Sequence, residues 1–238
     1  MRLKGLMEPL INSEKFTYLK RYVEEGKKPV EIEGLSESAK AYFINSVYEY
    51  FDKPVVVITN SDMEAKNLYE DLNLYTTNVF YFPVKEVVFY NVDAISGDLR
   101  WARLKVINEI LQKKKNIVVT SIEAFASQYT PKKLFKDHKI NLKVGKEVDF
   151  KELSQLLIEG GYERVDMVEG KGEFSLRGGL LDVFPADSTY PYRVELFGDT
   201  IDSIRSFNTE SQRSIDKVKS IKIFPAKEII VDDEIIKE

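Results

Sequence analysis

Four short runs rich in β-branched and aromatic residues punctuate the first half of the chain, at Pro29–Gly34, Pro54–Thr59, Asn78–Pro83 and Asn116–Ser121. Between them, apolar residues recur at helical spacing. Ala41, Ile44, Val47 and Tyr48 form one stripe, and Leu99, Ala102, Val106, Ile107 and Ile110 form another. Nearly continuous apolar strands alternating with amphipathic helices predict a parallel sheet covered on both faces, an α/β domain over residues 1–135.

The pattern changes after Pro131. The spacing predicts one helix at Asp149–Glu159, stopped by Gly160–Gly161. Then short β-rich runs follow closely: RVDMV, EFSLRG, LLDVFP, YRVELF, TIDSIRSF and KSIKIFP. Connections too short for helices imply antiparallel pairing, so a small α+β domain is expected at 136–222.

Composition narrows the chemistry. With 238 residues, 43% of them hydrophobic, there is material for two cored units. A net charge of −4 argues against a duplex-binding surface. The basic runs Lys113–Lys115 and Lys132–Lys133 read as solvated helix ends. The absence of cysteine and the single histidine, His138, leave no usual set for structural zinc, thiol chemistry or a catalytic triad built elsewhere. His138 precedes a strand-like run and reads as a satisfied surface residue. Glu8 and Pro9 interrupt the N-terminal apolar run, which is too short for a signal peptide, and no stretch has the length of a membrane span. A cytoplasmic protein is expected, without a cofactor or bound metal.

The first run leads into GLSESAKA, Gly34–Ala41, in the layout of a phosphate loop. Gly34 and Lys40 match that pattern. Ala39 replaces its second glycine, and Ala41 replaces the hydroxyl that would hold magnesium. The bland reading is a strand-to-helix turn capped by Ser36 or Ser38. Either way the nucleotide chemistry is degenerate.

The most specific segment is Gly170–Pro225. Its runs GEFSLRGGLLDVFPA, PYRVELFGDTIDSIRSF and SQRS closely resemble the second domain of the bacterial transcription-repair coupling factor family, and more distantly that of UvrB. The resemblance is diffuse over 29–130, where NIVVTSIEAF echoes the end of the family's first domain. It implies a UvrB-like, degenerate P-loop-like domain at 1–135, a UvrA-binding domain at 136–222, and the start of a truncated return to the first domain at 223–238. Three departures from UvrB support this: the broken phosphate loop, the short Val84–Asp98 connection with no room for a DNA-clamping hairpin, and no helicase motif before Glu238.

Family members recruit UvrA to stalled RNA polymerase in transcription-coupled nucleotide excision repair, driven by an ATP-dependent translocase. The resemblance implies that this chain supplies a non-catalytic docking surface, with RNA polymerase held by other regions and the surface masked at rest by an intramolecular C-terminal domain. It carries the UvrA-contacting positions onto Arg177, Arg193 and Phe197, with Glu195 as an orienting neighbour. Direct DNA binding is not expected. The alternative is the nucleotide-binding domain of an active UvrB-like ATPase, with Lys40 on the phosphates.

Alternation gives those positions physical content. In YRVELF, Tyr192, Val194 and Leu196 face one way, while Arg193, Glu195 and Phe197 face the other. A phenylalanine on a charged face is either covered by a helix or a partner-binding residue. Arg177, before the Gly178–Gly179 turn, either captures a partner carboxylate or pairs within the domain with Asp182, Glu195 or Asp199. The carboxylates Asp182, Glu195, Asp199 and Asp202 also raise a metal-dependent nuclease or glycosidase reading, which ordinary pairing with nearby basic residues makes unnecessary.

Overall fold

The computed structural model describes residues 4–85 and 97–230. In chain order the elements are α1 (Lys4–Ile11), α2 (Glu14–Glu24), α3 (Glu37–Phe51), β1 (Val55–Thr59), α4 (Asp62–Asn73), β2 (Val79–Phe82), α5 (Gly97–Leu111), β3 (Ile117–Ser121), α6 (Ile122–Phe125) and α7 (Lys132–Asp137). There follow β4 (Ile140–Lys143), α8 (Phe150–Glu159), β5 (Glu163–Arg164), β6 (Glu173–Arg177), β7 (Leu180–Val183), β8 (Tyr192–Phe197), β9 (Thr200–Phe207), β10 (Ser214–Lys217) and β11 (Ser220–Ile223). They form two compact units, residues 1–92 with 113–127 and residues 93–112 with 128–238. Parts of the Val84–Asp98 connection and of segment 223–238 lie outside the described residues.

The first unit is built on a three-stranded parallel sheet, in the order β1-β3-β2. Central β3 is buried along its whole length, Thr120 and Ser121 included, as a strand covered on both faces is. Serine caps fix three helix starts: Ser13 accepts from the Phe16 amide, Ser61 from the Glu64 amide and Ser121 from the Ala124 amide, each at 3.2 Å. Ala41, Tyr48, Ala65, Leu72, Val79, Ile117 and Val119 make the core.

Two expectations for this unit are corrected. Pro29–Gly34 forms no strand: Val30 and Ile32 alternate as a strand would, yet both are exposed. The period is there, but no strand among the described residues pairs with it. Nor is the cover complete across the sheet's width: Val56 and Ile58 of edge strand β1 are exposed on one face, while central β3 is buried on both.

The second unit carries a six-stranded sheet, β10-β9-β8-β7-β6-β5, antiparallel except for β5 with β6. A separate antiparallel pair joins β11 to β4. Helix α8 begins on Asp149, whose carboxylate accepts from the Lys151 amide, and stops at Gly160 as the sequence predicts. Its Leu153 and Leu157 pack with Phe174, Leu181, Val183, Val194, Ile201 and Ile204 from the sheet. β10 has four exposed residues and no apolar signal, and sequence reasoning does not find it.

Helix α5 also belongs to the second unit, although the alternating pattern had grouped it with the first. It buries Leu104 and Val106 as well as Arg103, whereas Ile110 of the expected stripe is exposed. Arg103 is held by Glu228 through two bonds, Nε to Oε1 at 2.7 Å and Nη2 to Oε2 at 2.9 Å. Trp101 lies against Gly172, whose φ of +80° and lack of Cβ make room for it.

Candidate functional site

Strands β6 to β9 form a meander whose two hairpin turns, Gly178–Gly179 and Gly198–Asp199, lie at the same end of the sheet. Arg177 opposes Leu180 across the first turn, Phe197 opposes Thr200 across the second, and Leu180 opposes Glu195 between them. Both turns need a positive φ, which Gly178 (+57°) and Gly198 (+62°) supply. One face of this sheet is core. Its other face carries Ser175, Arg177, Asp182, Arg193, Glu195 and Phe197, in the alternation predicted for β8.

Asp182 is the hub of that face. It is only 1% exposed, and it sits opposite Ser175 on one side and Arg193 on the other. Arg193 grips it with Nε on Oδ1 at 2.7 Å and Nη2 on Oδ2 at 2.8 Å. Arg177 adds one bond, Nη2 to Oδ2 at 3.1 Å. The Arg193 guanidinium lies 4.7 Å over the buried Phe207 ring, and its Nη2 also donates to Gln212 Oε1 at 3.1 Å. This carboxylate holds the Arg193 pKa above its ordinary value.

Glu195 accepts from Ser203 Oγ at 2.8 Å and from Arg205 Nη2. The Ser203 hydroxyl, then the arginines, lower its pKa. Arg193 and Arg205 stand directly opposite in register, a repulsive arrangement that Asp182 and Glu195 relieve from either side. Phe197 is 85% exposed, so no helix of the described residues covers it.

The four positions singled out in the sequence thus share one face. Arg177 also makes the intradomain pair, with Asp182 among the three acids considered, and Arg193 joins it there. Sequence reasoning misses Arg205, Ser203, Phe207 and Gln212. A plain hairpin closed by Phe197 and Thr200 sets Arg193 opposite Ile204, but a bulge at Asp202 brings Arg205 there. The signal was available in Ile201 and Ile204, both core residues, whose spacing of three breaks the two-residue period.

The other positions singled out in the sequence have these surroundings. Gly34 has a φ of +80° but follows no strand, and Ala39, Lys40 and Ala41 lie within α3. Ala41 is core, and Lys40 Nζ meets Glu37 Oε1 at 2.7 Å. Ser36 holds the N-cap position but makes no side-chain cap bond, its Oγ lying 3.3 Å from that of Ser38. His138 Nδ1 is 2.9 Å from the Leu134 carbonyl. Lys115 pairs with Asp52 and lies over Tyr48. No group of three or more potential metal ligands occurs among the described residues, and no described helix is long and apolar enough to cross a membrane.

Residues 140–229 match the family of the UvrB interaction domain. The chain is 38% identical over 224 residues to a transcription-repair-coupling factor of Bacillus subtilis, covering 93% of this chain and 19% of that protein. A transcription-repair-coupling factor of Staphylococcus epidermidis is 34% identical over 213 residues, or 89% of this chain and 18% of that one. One from Staphylococcus aureus is 33% identical over 207 residues, with 86% and 18% covered. The chain therefore spans about a fifth of the length of these relatives. Its likeness to them runs through both units, and the face built around Asp182 lies inside the matched domain. Over most of its length the chain is thus similar to a stretch of the bacterial transcription-repair-coupling factors, and its residues 140–229 match the UvrB interaction domain.

Proposed function

We propose that this chain is a non-catalytic, cytoplasmic docking module that binds UvrA and so recruits it to stalled RNA polymerase in transcription-coupled nucleotide excision repair. Arg177, Arg193 and Phe197 contact UvrA, and Glu195 orients the arginines. The observation that carries this reading is Phe197, 85% exposed on the face it shares with the arginines. An aromatic that gains nothing from its own core, set beside arginine, has the composition of an interface anchor. Three arginines surround only two carboxylates here, so an acidic partner surface suits the cluster.

In this reading residues 136–222 dock UvrA, while the parallel-sheet unit is a P-loop-like domain that has lost its nucleotide chemistry. Ala39 and Ala41 in place of glycine and hydroxyl support that loss. RNA polymerase is engaged by other regions of the longer protein, whose C-terminal domain masks this face at rest. The chain itself makes no direct contact with DNA.

Calorimetric titration of the chain into purified UvrA, beside R177A, R193A and F197A, tests the proposal. Saturable binding that weakens in the variants supports it. A folded wild-type chain that gives no binding, or variants that bind as the wild type does, refutes it.

A further inference from the structure

A buried carboxylate is costly unless enough donors converge on it, and Asp182 receives three N–H bonds from two arginines. Those arginines are left in different states. Arg193 spends Nε and Nη2 on Asp182 and Gln212, keeps only Nη1 for another acceptor, and its side chain is 18% exposed. Arg177 spends one bond, and its side chain is 54% exposed. One buried group therefore sets the plane of Arg193 and tethers Arg177 while leaving its other donors outward. Gln212, at a φ of +55°, closes the far side of Arg193.

We propose that Asp182 is a positioning residue of the docking face: it makes no contact with the partner but fixes Arg177 and Arg193 in the geometry that receives a partner's carboxylates. The proposal rests on the UvrA-docking reading. Two long cationic side chains would otherwise be ordered at the moment of association, at a cost in rotamer entropy that the pairing with Asp182 removes beforehand. The ion pair also screens Arg193 from Arg205, its opposite neighbour in register. Asp182→Asn keeps volume and one acceptor but turns an amide toward the guanidinium, donor against donor.

The test combines side-chain dynamics with titration. Nitrogen-15 relaxation of arginine Nε–H groups is measured in the wild-type chain and in D182N, and both are titrated into UvrA. In the wild type, Arg177 and Arg193 are expected to be more ordered than Arg213 of the exposed Asn208–Arg213 loop. In D182N both should approach its mobility, and affinity should fall about tenfold. Combining D182N with R177A should then cost less than the two single losses together. Wild-type arginines as mobile as Arg213 overturn the proposal with no variant needed, which covers a D182N that fails to fold. Loosened arginines with unchanged affinity also overturn it. Ordered arginines with no UvrA binding by the wild type overturn the docking reading and this role with it, while confirming that Asp182 holds the side chains.

Discussion

Asp182 and Arg193 face each other across β7 and β8 and are joined by two parallel bonds of 2.7 and 2.8 Å, with the carboxylate buried and the guanidinium nearly so. The pair makes the two arginines of the face separable by experiment. R193A strips a buried carboxylate of its main partner and is expected to lower unfolding free energy by about 3 kcal/mol in urea titration. R177A removes one longer bond from an exposed side chain and should cost about 1 kcal/mol or less. Its affinity for UvrA should nonetheless fall by about 2 kcal/mol.

F197A should separate function from stability most cleanly. The ring is exposed, so the urea midpoint should move little, by less than about 0.5 kcal/mol in free energy. Affinity for UvrA should fall by about 2 kcal/mol, roughly thirtyfold. A large loss of stability would show that the ring serves the fold instead.

Gly172 holds a position that only glycine fits. A Cβ there would lie 2.6 Å from Trp101 Cη2, at a φ of +80°. G172A should therefore destabilise the second unit by about 2 kcal/mol. Trp101 is the chain's single tryptophan, so a changed emission maximum in the folded variant reports the displaced ring directly.

Two carboxyls predict pH dependences of opposite sign. Glu195 has its pKa lowered by Ser203 and the arginines, so its contribution to stability is present above its ordinary 4.5 and is lost as pH falls through the lower folded value. E195Q should thus be less stable than wild type at neutral pH and converge with it in acid. Asp187 has its pKa raised from 3.8, chiefly by burial, so its contribution is present at low pH and lost as pH rises through the folded value. D187N should raise the melting temperature more at pH 7 than at pH 3.5.

Magnesium and ATP should leave the melting temperature unchanged. A ligand at a hundred times its dissociation constant adds about 2.7 kcal/mol of stability. Among the described residues Lys40 pairs with Glu37 and no strand precedes Gly34, so the strand-loop-helix layout of a phosphate site is not formed there.

Much of this was legible in the residues. Three of the four expected strands of the first unit form where their apolar runs lie. The alternation of β8 sorts Arg193, Glu195 and Phe197 from Val194 and Leu196 correctly, because a strand with one core face has only two ways to point its side chains. What escaped depends on partners distant in sequence. Whether Val30 and Ile32 join a sheet is decided by a neighbouring strand, not by their own period. Arg103 reads as a solvent position in α5, yet it is buried against Glu228, more than a hundred residues further on. The bulge at Asp202 moved Arg205 by a single place, enough to hide half of the charge arrangement.

The meander from β6 to β9 has a consequence for synthesis. Each strand pairs with the next across a short connection, and Arg177, Asp182, Arg193, Glu195 and Phe197 all fall within it. Helix α8, which covers its apolar side with Leu153 and Leu157, precedes it in the chain. Contacts so local close quickly, since little chain must be searched to make them. By the time Phe207 has left the ribosome, each of these five side chains and the helix beneath them have been made. The charged face can take shape during translation, as soon as its own four strands have been made.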